Sequence, residues 1–198
     1  MAKSRKAPAK DTATKKTRSA RKPASGKSGG SWAAALAPRA PDEKRYWLVK
    51  SEPNVFSFDD LLRRHNKTTN WDGIRNFVAR NFMRHGMKLG DRVFFYHSST
   101  GDPGVVGICE VIREAYPDGS QFDNTSDYYD AKAAKDNPIW YMVDLRAVAQ
   151  MTHPVPLTKI KTTKELQKMA LLRIGRLSVT PVTPAEWDAI CAIADRLP

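Results

Sequence analysis

The sequence predicts an α+β fold, a small mixed β-barrel flanked by short helices over residues 46–198, preceded by a disordered basic N-terminal tail over residues 1–45. Three observations predict it. Apolar, β-branched and aromatic runs of strand length recur between turns containing Gly and Pro, the pattern of short strands. Helix-start signals are few and open short periodic segments with no regular βαβ alternation, which argues against a doubly wound parallel sheet. The charge is also uneven: of a formal net charge of +12, residues 1–45 hold 13 Lys or Arg against three acidic residues, and residues 46–198 hold 20 against 18. A nearly neutral folded part cannot hold nucleic acid chiefly by counterion release, so any specificity there has to come from a pocket.

Along the chain, residues 1–45 are rich in Lys, Ala, Ser, Pro and Gly, with Trp32 as the one aromatic, and show no periodicity that could bury a face. Blocks such as MAKSRKAPAK and TKKTRSARKPA suit contacts with nucleic-acid phosphates or a solubilising leader equally. Tyr46-Trp47-Leu48-Val49 reads as a strand that Pro53 stops, with Lys50-Ser51-Glu52 at its mouth. Ser57 followed by Asp60 fits an N-cap with an acidic first turn. Asp72-Gly73 is a turn pair in which Gly73 is free to take positive φ, and Ile74, Phe77, Val78 and Phe82 then recur as one inward helical face. That register puts Arg75, Asn76, Arg80, Asn81 and Arg84 off the apolar stripe, planar hydrogen-bonding groups suited to bases and phosphates.

Arg92 to His97 and Val105 to Ile112 predict two strands joined by a Gly/Pro loop, hence a hairpin, with Gly107 marking a close backbone approach. A long polar loop from Gln121 to Asn137, pegged by Tyr128 and Tyr129 or functional in itself, leads to a strand over Ile139 to Leu145. His153-Pro154 and Pro156 should break the next segment, and Thr162 with Glu165 should cap a helix through Leu166 and Met169. Arg176 to Val182 reads as a barrel-closing strand. Thr183-Pro184-Ala185-Glu186 is the clearest helix start, with Trp187, Ile190, Cys191 and Ala194 on its buried face.

WDGIRNFVARNF at 71–82, YWLVKSEP at 46–53 and VFFYHSS at 93–99 together resemble the EVE-domain family, and the resemblance continues through GVVGICEVIREAYPD, NPIWYMVDLR and RLSVTPVT to cover nearly everything after residue 45. It implies a PUA-like barrel. It also implies a site: in this family the Lys50-Ser51 pair belongs to a base-binding pocket, and the more distantly similar YTH readers place a cage tryptophan where Trp71 stands.

The expected function is therefore a reader that binds a modified base, such as methylated or hydroxymethylated cytosine, in DNA or RNA. The expected ligand-binding set is Trp47, Lys50, Ser51, Trp71, Arg75, Asn76, Arg80, Asn81, Tyr96 and His97. Stacking platforms plus donors and acceptors are what a flipped base requires. Phe82, Phe94 and Trp187 read as core, and Trp71 has a core reading too. The alternative is an amidohydrolase of the ASCH type, to which the family is also similar, using Lys50 as base with Ser51 and Glu52 on an acylated nucleoside.

No cofactor or metal is expected: His65, His85, His97 and His153 have no ligand spacing, and Cys109 and Cys191 read as buried free thiols. The partners expected are modified DNA or RNA and no membrane, with the protein a monomer. Its place would be the cytoplasm or nucleoid of a bacterium or the nucleus of a eukaryote, since no apolar run approaches the roughly 18 to 20 residues of a membrane span.

Overall fold

A computed structural model describes residues 31–196. In chain order the elements are α1 Ser31–Leu36, β1 Tyr46–Ser51, α2 Phe58–Arg63, β2 Thr68–Trp71, α3 Phe77–Asn81, β3 Arg92–His97, β4 Gly104–Pro117, β5 Tyr141–Pro156, α4 Leu157–Thr162, α5 Ala170–Arg173, β6 Val179–Val182 and α6 Pro184–Ala194. The six strands form one mixed sheet in the order β2-β5-β4-β3-β1-β6, with β1 and β3 parallel and every other pair antiparallel. The sheet curls without closing. β6 lies on the β1 edge and β2 on the other, so the strand expected to close the barrel terminates the sheet instead.

Both faces of the sheet are covered, which is why β1 and β3 read as continuous apolar runs rather than as alternations. Trp47 and Val49 of β1, with Val93 and Phe95 of β3, enter one core beside Phe58, Leu61, Phe82 and Met83. Leu48, Phe94 and Tyr96 point the other way, into a second core with Val182, Trp187 and Ile190. Phe94 and Trp187 stack at 3.8 Å and Tyr46 and Trp187 at 4.7 Å, so aromatic contacts with β3 and β1 help to hold the late helix. The predicted β3–β4 hairpin forms, and the Phe58 ring sits where a side chain on Gly107 would stand.

Local capping signals operate as expected at two helices. Ser57 and Asp60 make a reciprocal capping box for α2, and Thr183 and Glu186 do the same for α6. Others do not. Thr162 ends α4, Thr163 starts a 3-10 turn at Lys164–Leu166, and the predicted helix through Met169 is divided there. His153 and Pro154 do not break the chain: β5 runs to Pro156, and its register against β4 shifts between the Gly107↔Gln150 and Val105↔Val155 pairs. Pro154 therefore falls within the register shift, where the ladder does not need its missing N–H.

The helix after the Asp72-Gly73 turn starts later than its apolar spacing suggests. Asn76 caps α3, its Oδ1 accepting from Val78 N at 2.8 Å and Ala79 N at 3.2 Å. Ile74 and Arg75 thus precede the helix, Phe77 (58% exposed) and Val78 face outward, and Ala79, Phe82 and Met83 form the buried side. The chain then widens into a π-helical turn, Phe82–Gly86.

Residues 1–30 of the expected tail lie outside the described residues; residues 31–45 are described, and they pack against the domain. Trp32 packs edge-on against Phe82 at 5.5 Å, Ala35 is buried, and Arg39 pairs through both terminal nitrogens with the buried Asp91. Residues 31–45 are a strap fastened to the domain.

Candidate functional site

β1 and β2 are separated by three strands in the sheet, yet the curl brings their C-terminal ends together around one cleft of about 560 Å³. Lys50, Ser51 and Glu52 come from the end of β1, Asn70 and Trp71 from β2, and Asp72, Gly73 and Ile74 from the turn after it. Phe56, Arg64 and Tyr128 complete the walls. Three flat groups thus border a cavity whose remaining lining is largely polar.

Trp71 bridges core and cleft. It is 7% exposed and meets Phe95 edge-on at 5.4 Å, so most of the indole is packed and the remainder faces the cavity. Arg64 lies 4.6 Å over the Phe56 ring and donates to Thr69 Oγ1 at 2.9 Å. Gly73 takes φ +71°, and a side chain there would come within 2.8 Å of the Tyr128 ring. Glycine is required at this position both by the backbone angle and by the ring lying against it.

The long polar loop is tied to this turn by Asp118 and Arg75. Asp118 Oδ2 accepts from Gly73 N at 3.1 Å and from Arg75 Nη1 at 2.8 Å, and its Oδ1 accepts from Ser120 N at 2.9 Å. Arg75 also donates to Ser120 Oγ and twice to the Tyr128 carbonyl. Burial pushes the Asp118 carboxyl up, but the hydrogen bonds from Arg75, Ser120 and Gly73 outweigh it and hold the group below its ordinary value. Asp72, at the cleft, is shifted the opposite way, by desolvation and by the neighbouring charge of Asp118.

Lys50 Nζ donates to the Gly175 carbonyl at 2.8 Å and lies 6.0 Å from the centre of the Tyr96 ring. Desolvation lowers its pKa. Among the described residues no carboxylate is hydrogen-bonded to it: Glu52 Oε1 accepts from Ser99 Oγ at 2.8 Å instead. Ser51 Oγ donates to the Phe56 carbonyl at 2.6 Å. Lys50 and Glu52 also border a second cleft of about 440 Å³, whose wall includes Tyr96, Ser98, Ser99 and Arg176.

Of the residues singled out from sequence, Trp71, Lys50 and Ser51 therefore share one cleft, and Arg75 braces it from behind. Tyr96 lies in the neighbouring cleft, nearly buried, with its phenol pushed up to about 12 by desolvation. His97 packs beneath, where Nε2 accepts from Phe58 N at 3.0 Å and burial lowers its pKa.

The remaining four lie away from the cleft. Trp47 is fully buried and donates Nε1–H to Asp91 at 2.8 Å, because its alternation along β1 points it into the core. Asn76 spends its side chain on capping α3. Arg80 bonds to the Ile139 carbonyl and to Asn81 Oδ1, so Asn81 is occupied as well. Conversely, Phe56, Arg64, Asn70 and Asp72 line the cleft without having been singled out, and Tyr128 was signalled only by the length of its polar loop. Among the described residues no group of three or more His, Cys, Asp or Glu is placed to hold a metal ion, and no helix is long and apolar enough to cross a membrane.

Comparison with known proteins agrees with this architecture. The EVE domain family model matches residues 45–193. Thymocyte nuclear protein 1 of Gallus gallus is 41% identical over 170 residues, covering 77% of this chain and 70% of that protein. The crystal structure of human THYN1 protein in complex with 5-methylcytosine containing DNA superposes with a TM-score of 0.74 at 40% identity, over 78% of this chain and 100% of that one. A hypothetical protein from Leishmania major gives the same TM-score at 48% identity, over 79% and 98% of the two chains. With its curled mixed sheet and a family match over nearly all of the sheet and α6, the chain belongs to the EVE domain family.

Proposed function

We propose that this protein is a nucleic-acid reader whose cleft takes one modified cytosine, 5-methylcytosine being the simplest case, turned out of its stack. The observation that carries the reading is the meeting of Trp71, Phe56 and Tyr128 with the polar groups of Ser51, Asn70, Asp72 and Lys50 around one cavity. A base offers two flat faces and a polar edge, and its recognition after flipping uses stacking plus a few hydrogen bonds. A carboxylate suits the exocyclic amine of cytosine, which gives Asp72 a role on that edge. The 5-methylcytosine DNA bound by the human relative supports the same ligand class.

The amidohydrolase reading, with Lys50 as base, needs a carboxylate beside Lys50, and the Nζ partner is a backbone carbonyl. The binding reading is therefore preferred. Its test is Trp71→Leu, which removes the flat face while filling much of its volume, alongside Trp71→Phe, which keeps a ring. Affinity for a strand carrying 5-methylcytosine should fall by about 1–3 kcal/mol in the leucine variant, the value of one stacked base, and by less in the phenylalanine variant. A folded Trp71→Leu protein with undiminished preference for the methylated strand would remove Trp71 from the site.

A further inference from the structure

Guanidinium groups and aromatic rings alternate along one surface that begins at the cleft and runs across α3 and the π turn behind it. Arg75 lies 5.3 Å from the ring centres of both Tyr128 and Trp140. Trp140 stacks on Phe77 at 4.9 Å, Arg80 lies 4.7 Å over Phe77, and Arg84 lies 4.2 Å over Tyr141. Tyr128 is a wall of the cleft, so the series has one end in the site.

Its members differ in how they are neutralised. Arg75 pairs with the buried Asp118, but among the described residues neither Arg80 nor Arg84 forms an ion pair. Arg84 is exposed, and its guanidinium is engaged with the Tyr141 ring. His85 adjoins it in the same turn, where burial and the positive charges of Arg84, Arg80 and Lys88 lower its pKa. Lys88 itself is paired with Glu114. The result is a local positive field, centred on Arg80 and Arg84, on a domain whose charge is otherwise nearly balanced.

A ring beneath a guanidinium limits its motion; among the described residues the N–H edge of Arg84 donates to no partner and matches a phosphate through two parallel hydrogen bonds, whereas Arg80 already donates from Nε, Nη1 and Nη2 to Asn81 and Ile139 and keeps one N–H on each terminal nitrogen for a phosphate. π-helical turns, moreover, concentrate at functional sites. We propose that Arg80 and Arg84 bind backbone phosphates of the nucleic-acid strand whose base occupies the cleft, so that this face positions the strand and the cleft reads it. The identity of the strand rests on the base-in-cleft reading; the phosphate contact does not.

The test uses the full chain with DNA duplexes that differ only by one 5-methylcytosine, followed by fluorescence anisotropy from low to high salt. Arg84→Gln should weaken binding to both duplexes by about tenfold, leave their ratio unchanged, and make the slope of log affinity against log salt shallower by about one. The Arg80→Gln/Arg84→Gln pair should lower the slope by about two. Arg84→Lys should restore the slope and only part of the affinity, because the charge returns without the planar fork.

A folded Arg84→Gln protein with unchanged affinity and slope overturns the proposal. A loss confined to the methylated duplex overturns it too, since Arg84 would then belong to base reading. If the wild type does not distinguish the duplexes, the base-in-cleft reading fails and the salt slope alone decides the phosphate contact.

Discussion

Replacing Arg39 by Ala asks whether the strap of residues 31–45 is part of the domain in solution. Asp91 is 0% exposed and accepts five hydrogen bonds: two of 2.6 Å from Arg39, one of 2.8 Å from Trp47 Nε1, and one of 3.0 Å each from the backbone nitrogens of Arg45 and Lys88. Removing one partner of a buried pair costs about 3–5 kcal/mol because the other charge is left uncompensated. Here three donors remain to Asp91, and the Arg39 side chain is still 16% exposed, so the low end applies, about 3 kcal/mol.

With a urea dependence of about 1–3 kcal/mol per molar, the unfolding midpoint should fall by about 1–3 M. Tryptophan fluorescence is a suitable reporter, since Trp47 donates to the same carboxylate and Trp32 lies on the strap. Because the pair is largely buried, the loss should persist at about 1 M salt, where exposed pairs are screened. A loss below about 0.5 kcal/mol, the size for an exposed pair, would refute the docked strap.

Lys50→Arg should keep part of the binding and Lys50→Ala should lose about 1–3 kcal/mol; acylated cytidines incubated with the wild type test the alternative, since turnover abolished equally by both substitutions would establish an amidohydrolase. His97 gives a pH dependence: its ordinary pKa is 6.5 and burial lowers the folded value, so below about pH 6.5 the unfolded chain binds more protons and stability falls until the folded pKa is passed. His85 is shifted in the same direction, so urea midpoints at pH 7.5 and 5.5 should separate less in His97→Gln than in wild type, and equal separations would show that His97 does not contribute. Deleting residues 1–30, which carry ten Lys or Arg against one acidic residue, should weaken binding to all strands alike and flatten its salt dependence while sparing the folded strap. Loss of modification preference in that deletion would place the tail within the reader.

The sequence by itself determined what depends on neighbours a few residues apart. Ser57-Asp60 and Thr183-Glu186 close capping boxes within three residues, and Asp72-Gly73 sets its turn through a backbone angle that only the glycine takes without strain. The apolar runs of β1, β3 and β4 were legible for the same reason, and Lys50 and Ser51 stand at the end of one of them, but the place of that pair and of Trp71 in a pocket came from the resemblance to the EVE family and its YTH relatives.

Only the tertiary structure decided what depends on partners far along the chain. Trp47 and Trp71 are the same residue type at two strands, yet Trp47 is fully buried with its Nε1–H donated to Asp91, 44 residues away, while the curl of the sheet leaves Trp71 at a cleft. Arg39 looked like one more tail cation until Asp91, 52 residues on, proved to be its counterion. The helix phase at Phe77 was misjudged because apolar spacing fits more than one start, and Asn76 settles the start by its cap. Tyr128 and Trp71 are brought to one cavity by Arg75 and Asp118, whose pairing spans 43 residues. Such pairings are chosen by the whole packed chain, because a side chain's burial and counterion are properties of the assembled neighbourhood and not of the local sequence.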